Sequence, residues 1–195
     1  MVDDAIAAVY EYRDHARTRA RLVELTNCGS PMNQNEQLIT TFYQAFQRRD
    51  SEAMAACYRP AIRFSDPVFQ ELNGPEVGAM WHMLCEQGTD LVVEFSEVRA
   101  DDDTGTAHWD ATYTFGPTGR VVHNRIDASF EFEDGRIVSH VDSFDLWRWS
   151  RMALGFSGSL TGWSGPTKSK IRRTADRSLR RFVDTHPEYQ SGTSS

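Results

Sequence analysis

Two hydrophobic periods divide the chain. Between Asn33 and about residue 88, apolar residues recur at three- and four-residue spacing. Leu38, Ile39, Phe42 and Phe46 make one stripe; Ala53, Met54, Cys57 and Tyr58 a second; Val77, Met80, Trp81 and Leu84 a third. This spacing places side chains on one face of a helix and predicts three helices. Asn33 with Glu36 has the form of a capping box, the second helix follows Asp50, and Gly74-Pro75 opens the third with proline at its first position. Between the last two lies a short strand, 61–64, closed by Asp66-Pro67.

From residue 91 the pattern alternates, predicting strands over 91–99, 106–115, 121–132 and 137–145. Turns at 117–119 and at 133–135, the latter containing Asp-Gly, join them as hairpins. In the third of these strands Ile126, Ala128, Phe130 and Phe132 share one face, and Arg125, Asp127, Ser129 and Glu131 the other. Helices first and an antiparallel meander afterwards predict an α+β domain over 32–150, with helices on one face of a curved sheet. The flanks are weaker. Residues 3–26 form a helix with a thin apolar face (Ile6, Val9, Ala16, Ala20, Val23), so 1–31 reads as an appendage and Met32 as a second candidate start. Residues 151–195 read as an extension: a Gly/Ser segment at 155–165, a basic helix at about 167–183, and a polar tail.

Composition narrows the class. At 195 residues and 39% hydrophobic, one domain with a sizeable core is expected. No run approaches the roughly 18 apolar residues of a membrane span, and Asp3 and Asp4 stand where a secretory signal would be basic. Cys28, Cys57 and Cys85 form no CxxC, so neither a disulfide framework nor a zinc knuckle is indicated, and a reducing cytoplasm fits. A net charge of -7 argues against nucleic-acid affinity. Residues 166–182 nevertheless hold seven Lys/Arg against one Asp, a solvated helix face or a docking element for an acidic partner.

The candidate chemistry lies in two strands. Aspartate is disfavoured inside strands, yet one holds His108-Trp109-Asp110 and another His140-Val141-Asp142. In each, the His and Asp are two apart and emerge on one face; Thr112 extends the first set and Phe144 the second. If both faces line the inside of the sheet, two carboxylates and two imidazoles converge on one cavity, where acid–base pairs arise. About 9–10 Å separates two strands with a third between them, which strains a metal set, so no metal and no cofactor are expected. Asp66 is a further carboxylate. Trp81, His82, Phe42 and Tyr58 are candidates for the pocket wall. No dinucleotide, phosphate-loop, serine-elbow or H-E-x-x-H motif is present.

These residues resemble the nuclear transport factor two-like, or SnoaL-like, superfamily over roughly 33–150. The resemblance implies a cone-shaped curved antiparallel sheet wrapped around a pocket and closed by N-terminal helices, often dimeric through the outer face of the sheet. Asp66-Pro67-Val68 resembles the general-base motif of ketosteroid isomerases. His108-Trp109-Asp110 and Asp142-Ser143-Phe144-Asp145-Leu146 resemble the limonene epoxide hydrolases, which implies Asp142 as base and Asp110 as acid, bridged by His108. His140-Val141-Asp142 also resembles the His-x-Asp of SnoaL-type cyclases. The expected function is therefore a cofactor-independent acid–base enzyme acting on a small, largely apolar or amphipathic molecule by hydration, dehydration, isomerisation or cyclisation. The alternative is a non-catalytic ligand-binding or dimerisation module of the same fold.

Overall fold

In the computed structural model, which describes residues 33–155 and 164–190, the helical period becomes three helices and the alternating period a sheet. The helix expected at 3–26, Cys28 and most of the Gly/Ser segment lie outside the described residues. Helix α1 (Gln34–Gln47) starts at the capping box: the Asn33 side chain accepts from the Asn35 N–H, and Glu36 accepts from the Asn33 N–H at 3.2 Å. Helix α2 (Ser51–Ala56) is capped by Asp50, and α3 (Pro75–Gln87) opens on Gly74 with proline in its first turn. The strands are β1 (Tyr58–Ser65), β2 (Leu72–Asn73), β3 (Val92–Ala100), β4 (Thr104–Phe115), β5 (Arg120–Glu133) and β6 (Arg136–Ser143). They form one curved, unclosed sheet in the order β2-β1-β6-β5-β4-β3.

The meander β3–β6 is antiparallel throughout, while β1 joins β6 in parallel, so the sheet is mixed. The β5–β6 hairpin closes through Asp134 and Gly135, both at positive φ, the backbone that an Asp-Gly turn favours. Register shifts interrupt three strand pairs, and in β1 against β6 the shift falls between Tyr58 and Arg63. In β3 the register shifts between Ser96 and Arg99, with Glu97 at positive φ. In β6 Glu131 pairs with Ser139 but Phe132 pairs with Ile137, which leaves Val138 as an extra residue. Such a bulge reverses which side the following residues face.

The expected last strand ends two residues early. Asp145 accepts hydrogen bonds from the Trp147 and Arg148 N–H groups and starts helix α4 (Leu146–Leu154), which the alternation had not revealed. The basic helix is present as α5 (Gly165–Thr185), followed by a short 3-10 turn, Pro187–Tyr189. Leu179 and Phe182 of α5 are buried in the main core, so this element packs on the domain through its apolar stripe. No helix among the described residues is long and apolar enough to cross a membrane.

The main core lies between the inner face of the sheet and α1–α3, and it is aromatic: Phe42, Tyr43, Phe46, Phe64, Trp81, Trp109 and Phe130 are all buried. Cys57 and Cys85 are free and buried within it, as expected of small core residues. A second, smaller cluster of Val122, Leu146, Trp149 and Ala153 joins α4 to β5. Gly105 on β4 sits under α1 with no space for a side chain: a Cβ there would lie 2.9 Å from Ile39 Cδ1 and 3.1 Å from the Arg99 carbonyl oxygen. Gly105→Ala is expected to destabilise the fold by about 1–3 kcal/mol through overpacking, read as a lower denaturation midpoint with unchanged slope.

Candidate functional site

The two His-x-Asp motifs point to opposite faces of the sheet. On β4 the inward residues are Ala107, Trp109 and Ala111, all buried, so His108, Asp110 and Thr112 project outward. There they meet the polar face of β5, in register with Asp127, Arg125 and His123. His108 Nδ1 lies 2.8 Å from Asp127 Oδ1, and His123 Nε2 lies 2.9 Å from Asp110 Oδ1. The expected convergence of His108 and Asp110 with His140 and Asp142 is therefore corrected: the same spacing occurs in opposite phase. The Val138 bulge sets the phase of β6, turning His140 and Asp142 inward and leaving Val141 exposed.

Inside, the polar groups form one chain. The Trp81 Nε1–H donates to Tyr58 Oη at 3.0 Å, and Tyr58 Oη lies 2.8 Å from His140 Nδ1. His140 Nε2 lies 3.1 Å from Asp142 Oδ1, and the Trp109 Nε1–H donates to the same oxygen at 3.2 Å. An indole can only donate, so Tyr58 accepts from Trp81 and passes its own O–H to His140 Nδ1. Neutral His140 then carries its proton on Nε2 and donates to Asp142. Burial, and after it the charge of Asp142, pushes the Tyr58 phenol well above its usual range, so its proton stays on. Among the described residues, Asp142 Oδ2 takes no hydrogen bond, and 4% of the residue surface remains exposed.

Rings surround this chain. His140 is fully buried, with Phe130 at 4.4 Å between centroids, Phe64 at 5.2 Å, Phe42 at 5.5 Å and Trp81 stacked at 5.9 Å. Phe42, Tyr58 and Trp81, expected as pocket wall, are thus brought together with His140 as a packed interior. Open grooves of about 490 Å³ and 400 Å³ lie instead against the outer face, near Thr106, Ser129 and Val141.

Asp66 lies where the interior meets the second cluster. Its Oδ1 accepts the N–H groups of Val68 and Phe69, a turn tied to the aspartate just before Pro67. Its carboxyl is pushed up from 3.8 to about 7, first by burial and then, against the two N–H bonds, by the charge of Asp142. Nearby, Tyr113 Oη accepts from the Trp149 Nε1–H at 2.8 Å, and its phenol is raised by burial and by Asp66. Val68, Tyr113 and half-buried Phe144 pack against both apolar clusters and form the junction between them. Helix α5 reaches the same region, where Arg172 Nε donates to the Pro67 carbonyl at 3.0 Å. Trp109 as a donor to Asp142, and Tyr113 beside Asp66, were not singled out as site residues from sequence. His82 lies apart from the interior, on the side of α3 that faces Phe182 and His186.

Both carboxyls take their hydrogen bonds on one oxygen, and Asp66 alone is raised toward neutrality, an arrangement able to accept and deliver protons. No curated protein matches the sequence. Among solved structures, a nuclear transport factor two-like protein of unknown function from Burkholderia pseudomallei K96243 is 21% identical, with a TM-score of 0.55 over 63% of this chain and 98% of that one. A candidate SnoaL-like polyketide cyclase from Jannaschia sp. CCS1 is 19% identical, with a TM-score of 0.57 over 65% and 96% of the two chains. An epoxide hydrolase from M. tuberculosis resembling limonene epoxide hydrolase is 20% identical, with a TM-score of 0.53 over 69% and 100%. At these identities the likeness is one of fold. The model of the SnoaL-like domain matches residues 39–140, more than half of the chain, and the protein belongs to that family.

Proposed function

We propose that the protein is a cofactor-independent acid–base enzyme acting on a small, largely apolar molecule, with Asp142 as base and Asp66 as acid. The observation that carries this reading is the one-sided hydrogen bonding of Asp142. Oδ1 is occupied by Trp109 and His140, while Oδ2 has no partner among the described residues. The unpartnered oxygen is the atom that takes a proton from the reactant or from water. Asp66, raised to about 7, holds a proton near neutral pH and delivers it to a developing oxyanion or leaving group. Val68, Tyr113 and Phe144 favour an apolar reactant at the junction, and Tyr113 adds a phenol beside Asp66. His140 and Tyr58 orient Asp142 and do not touch the reactant. Hydration, dehydration, isomerisation and cyclisation each need this two-way proton movement.

A second reading is favoured by the ring-filled interior and by the outer grooves: a module without chemistry that holds a ligand or a second copy of the chain. Exposed Val121 and Val141 lie on strands of that sheet. Turnover separates the two.

A panel of epoxides, β-hydroxy ketones and β,γ-unsaturated ketones is the assay. Asp142→Asn is expected to lower the rate by about 10²–10⁴-fold, the usual worth of general acid–base catalysis. The fold should be retained, since the amide oxygen accepts the same two N–H groups, and an unchanged rate rejects Asp142 as base. Binding without turnover across the panel, or a dimer lost on charging Val141, supports the second reading.

Asp66 makes a separate expectation. Its folded value lies above the ordinary 3.8, so the native state holds the extra proton between about 4 and about 7. Its contribution to stability is present below about 4 and is lost as pH rises to about 7. Asp66→Asn should flatten that part of the stability–pH curve, and activity should fall above about pH 7 in the wild type. A ¹³C carboxyl titration of Asp66 near 4 would overturn both.

A further inference from the structure

Outside the aromatic interior, a second set of polar side chains converges where α5 meets α3. His82 and Glu86 stand one turn apart on α3, and His186 caps the end of α5. His82 Nε2 lies 3.5 Å from Glu86 Oε1, and His186 Nε2 lies 4.0 Å from the same oxygen. One ligand atom from each residue falls within 4.8 Å of the others.

The far side of each imidazole is already engaged. His186 Nδ1 lies 2.8 Å from the Phe182 carbonyl oxygen, which can only accept. Neutral His186 therefore carries its proton on Nδ1 and presents a bare Nε2 lone pair. His82 Nδ1 lies 3.2 Å from Tyr189 Oη, which can accept in the same way. Imidazoles with one nitrogen bonded to oxygen and the other aimed at a shared point are oriented as metal ligands are. His186 is further fixed by stacking on Phe182, at 3.8 Å between centroids. Tyr189 packs so close to α3 that a Cβ on Gly78 would lie 3.3 Å from its ring, which accounts for a glycine in mid-helix one turn before His82.

We propose that His82, Glu86 and His186 form a binding site for a divalent transition-metal ion, Zn²⁺ first among them, which clamps the C-terminal helix onto α3. Two imidazoles and one carboxylate suit zinc and its neighbours over the oxygen-seeking Mg²⁺ and Ca²⁺. Zinc bonds of about 2.0–2.2 Å require ligand atoms roughly 3.3 Å apart in a tetrahedron, so the set closes by small side-chain rotations. Water completes the coordination, since Glu86 is exposed and His82 and His186 are half-buried. The site is independent of the proposed chemistry at Asp142. It also reassigns His82, expected from sequence to line the substrate pocket.

The test uses the full chain, stripped with chelator and titrated with Zn²⁺ by calorimetry, with thermal melting and the visible absorption of the Co²⁺ form as further readouts. One equivalent is expected to bind, raise the melting temperature and give the intense Co²⁺ bands of low coordination number. His82→Ala, Glu86→Gln and His186→Ala should each weaken binding at least about tenfold, and Tyr189→Phe by about tenfold through the second nitrogen of His82. His123→Ala, in the outer-face cluster, should leave binding unchanged. Circular dichroism checks that the variants fold. No saturable binding at one equivalent, or equal binding by wild type and the His82→Ala/His186→Ala double variant, overturns the proposal.

Discussion

In a polar chain inside an aromatic core each donor needs an acceptor, because an unpaired group there costs about 1–3 kcal/mol. Here the chain has a fixed direction. Trp81 and Trp109 can only donate, and an ionised carboxylate can only accept, so the donors of Tyr58 and His140 run toward Asp142. Four elements supply the members: α3 gives Trp81, β1 Tyr58, β6 His140 and Asp142, and β4 Trp109. Their relative placement is thus tied by hydrogen bonds as well as by ring packing. Moving any of these elements by one residue would strand a buried donor or acceptor.

The arrangement rests on the Val138 bulge. Ile137 is buried before it, and unbroken alternation would have sent Ser139, Val141 and Ser143 inward. The extra residue turns His140 and Asp142 into the core instead. On β4 no such break occurs around His108-Trp109-Asp110, and Trp109 takes the interior. Its ring fills space beside Phe46 and Tyr43 while its N–H reaches Asp142, which gives one residue both a packing and a polar task.

The segment after the matched SnoaL-like region adds to the fold rather than trailing from it. Helix α4 closes the end of β5 over its own small cluster, with Thr118 Oγ1 donating to the Ala153 carbonyl at 2.6 Å. Helix α5 touches Pro67 through Arg172, two turns into the helix, and meets α3 near its C-terminal end, so it runs from the Asp66 turn to the His82–Glu86–His186 cluster.

Much was legible in local pattern. The capping box at Asn33, the proline at the start of α3, the Asp-Gly hairpin and the inward set Ile126, Ala128, Phe130 and Phe132 follow from short-range geometry, and they lie where the pattern put them. Helix α4 was hidden because the two tryptophans after Asp145 favour strands, and only the cap bonds to Trp147 and Arg148 reveal a helix start. The order of the first three helices and of the meander strands, the α+β class and the inwardness of most core residues were thus set by the sequence alone, because side-chain period is a property of neighbours along the chain. Which of two identical His-x-Asp motifs faces the core, how Asp66 comes to feel Asp142, and that His186 meets His82 across 104 residues were decided by the tertiary structure. These depend on strand phase, on one bulged residue and on helix docking, which act between segments distant in sequence and leave no periodic mark.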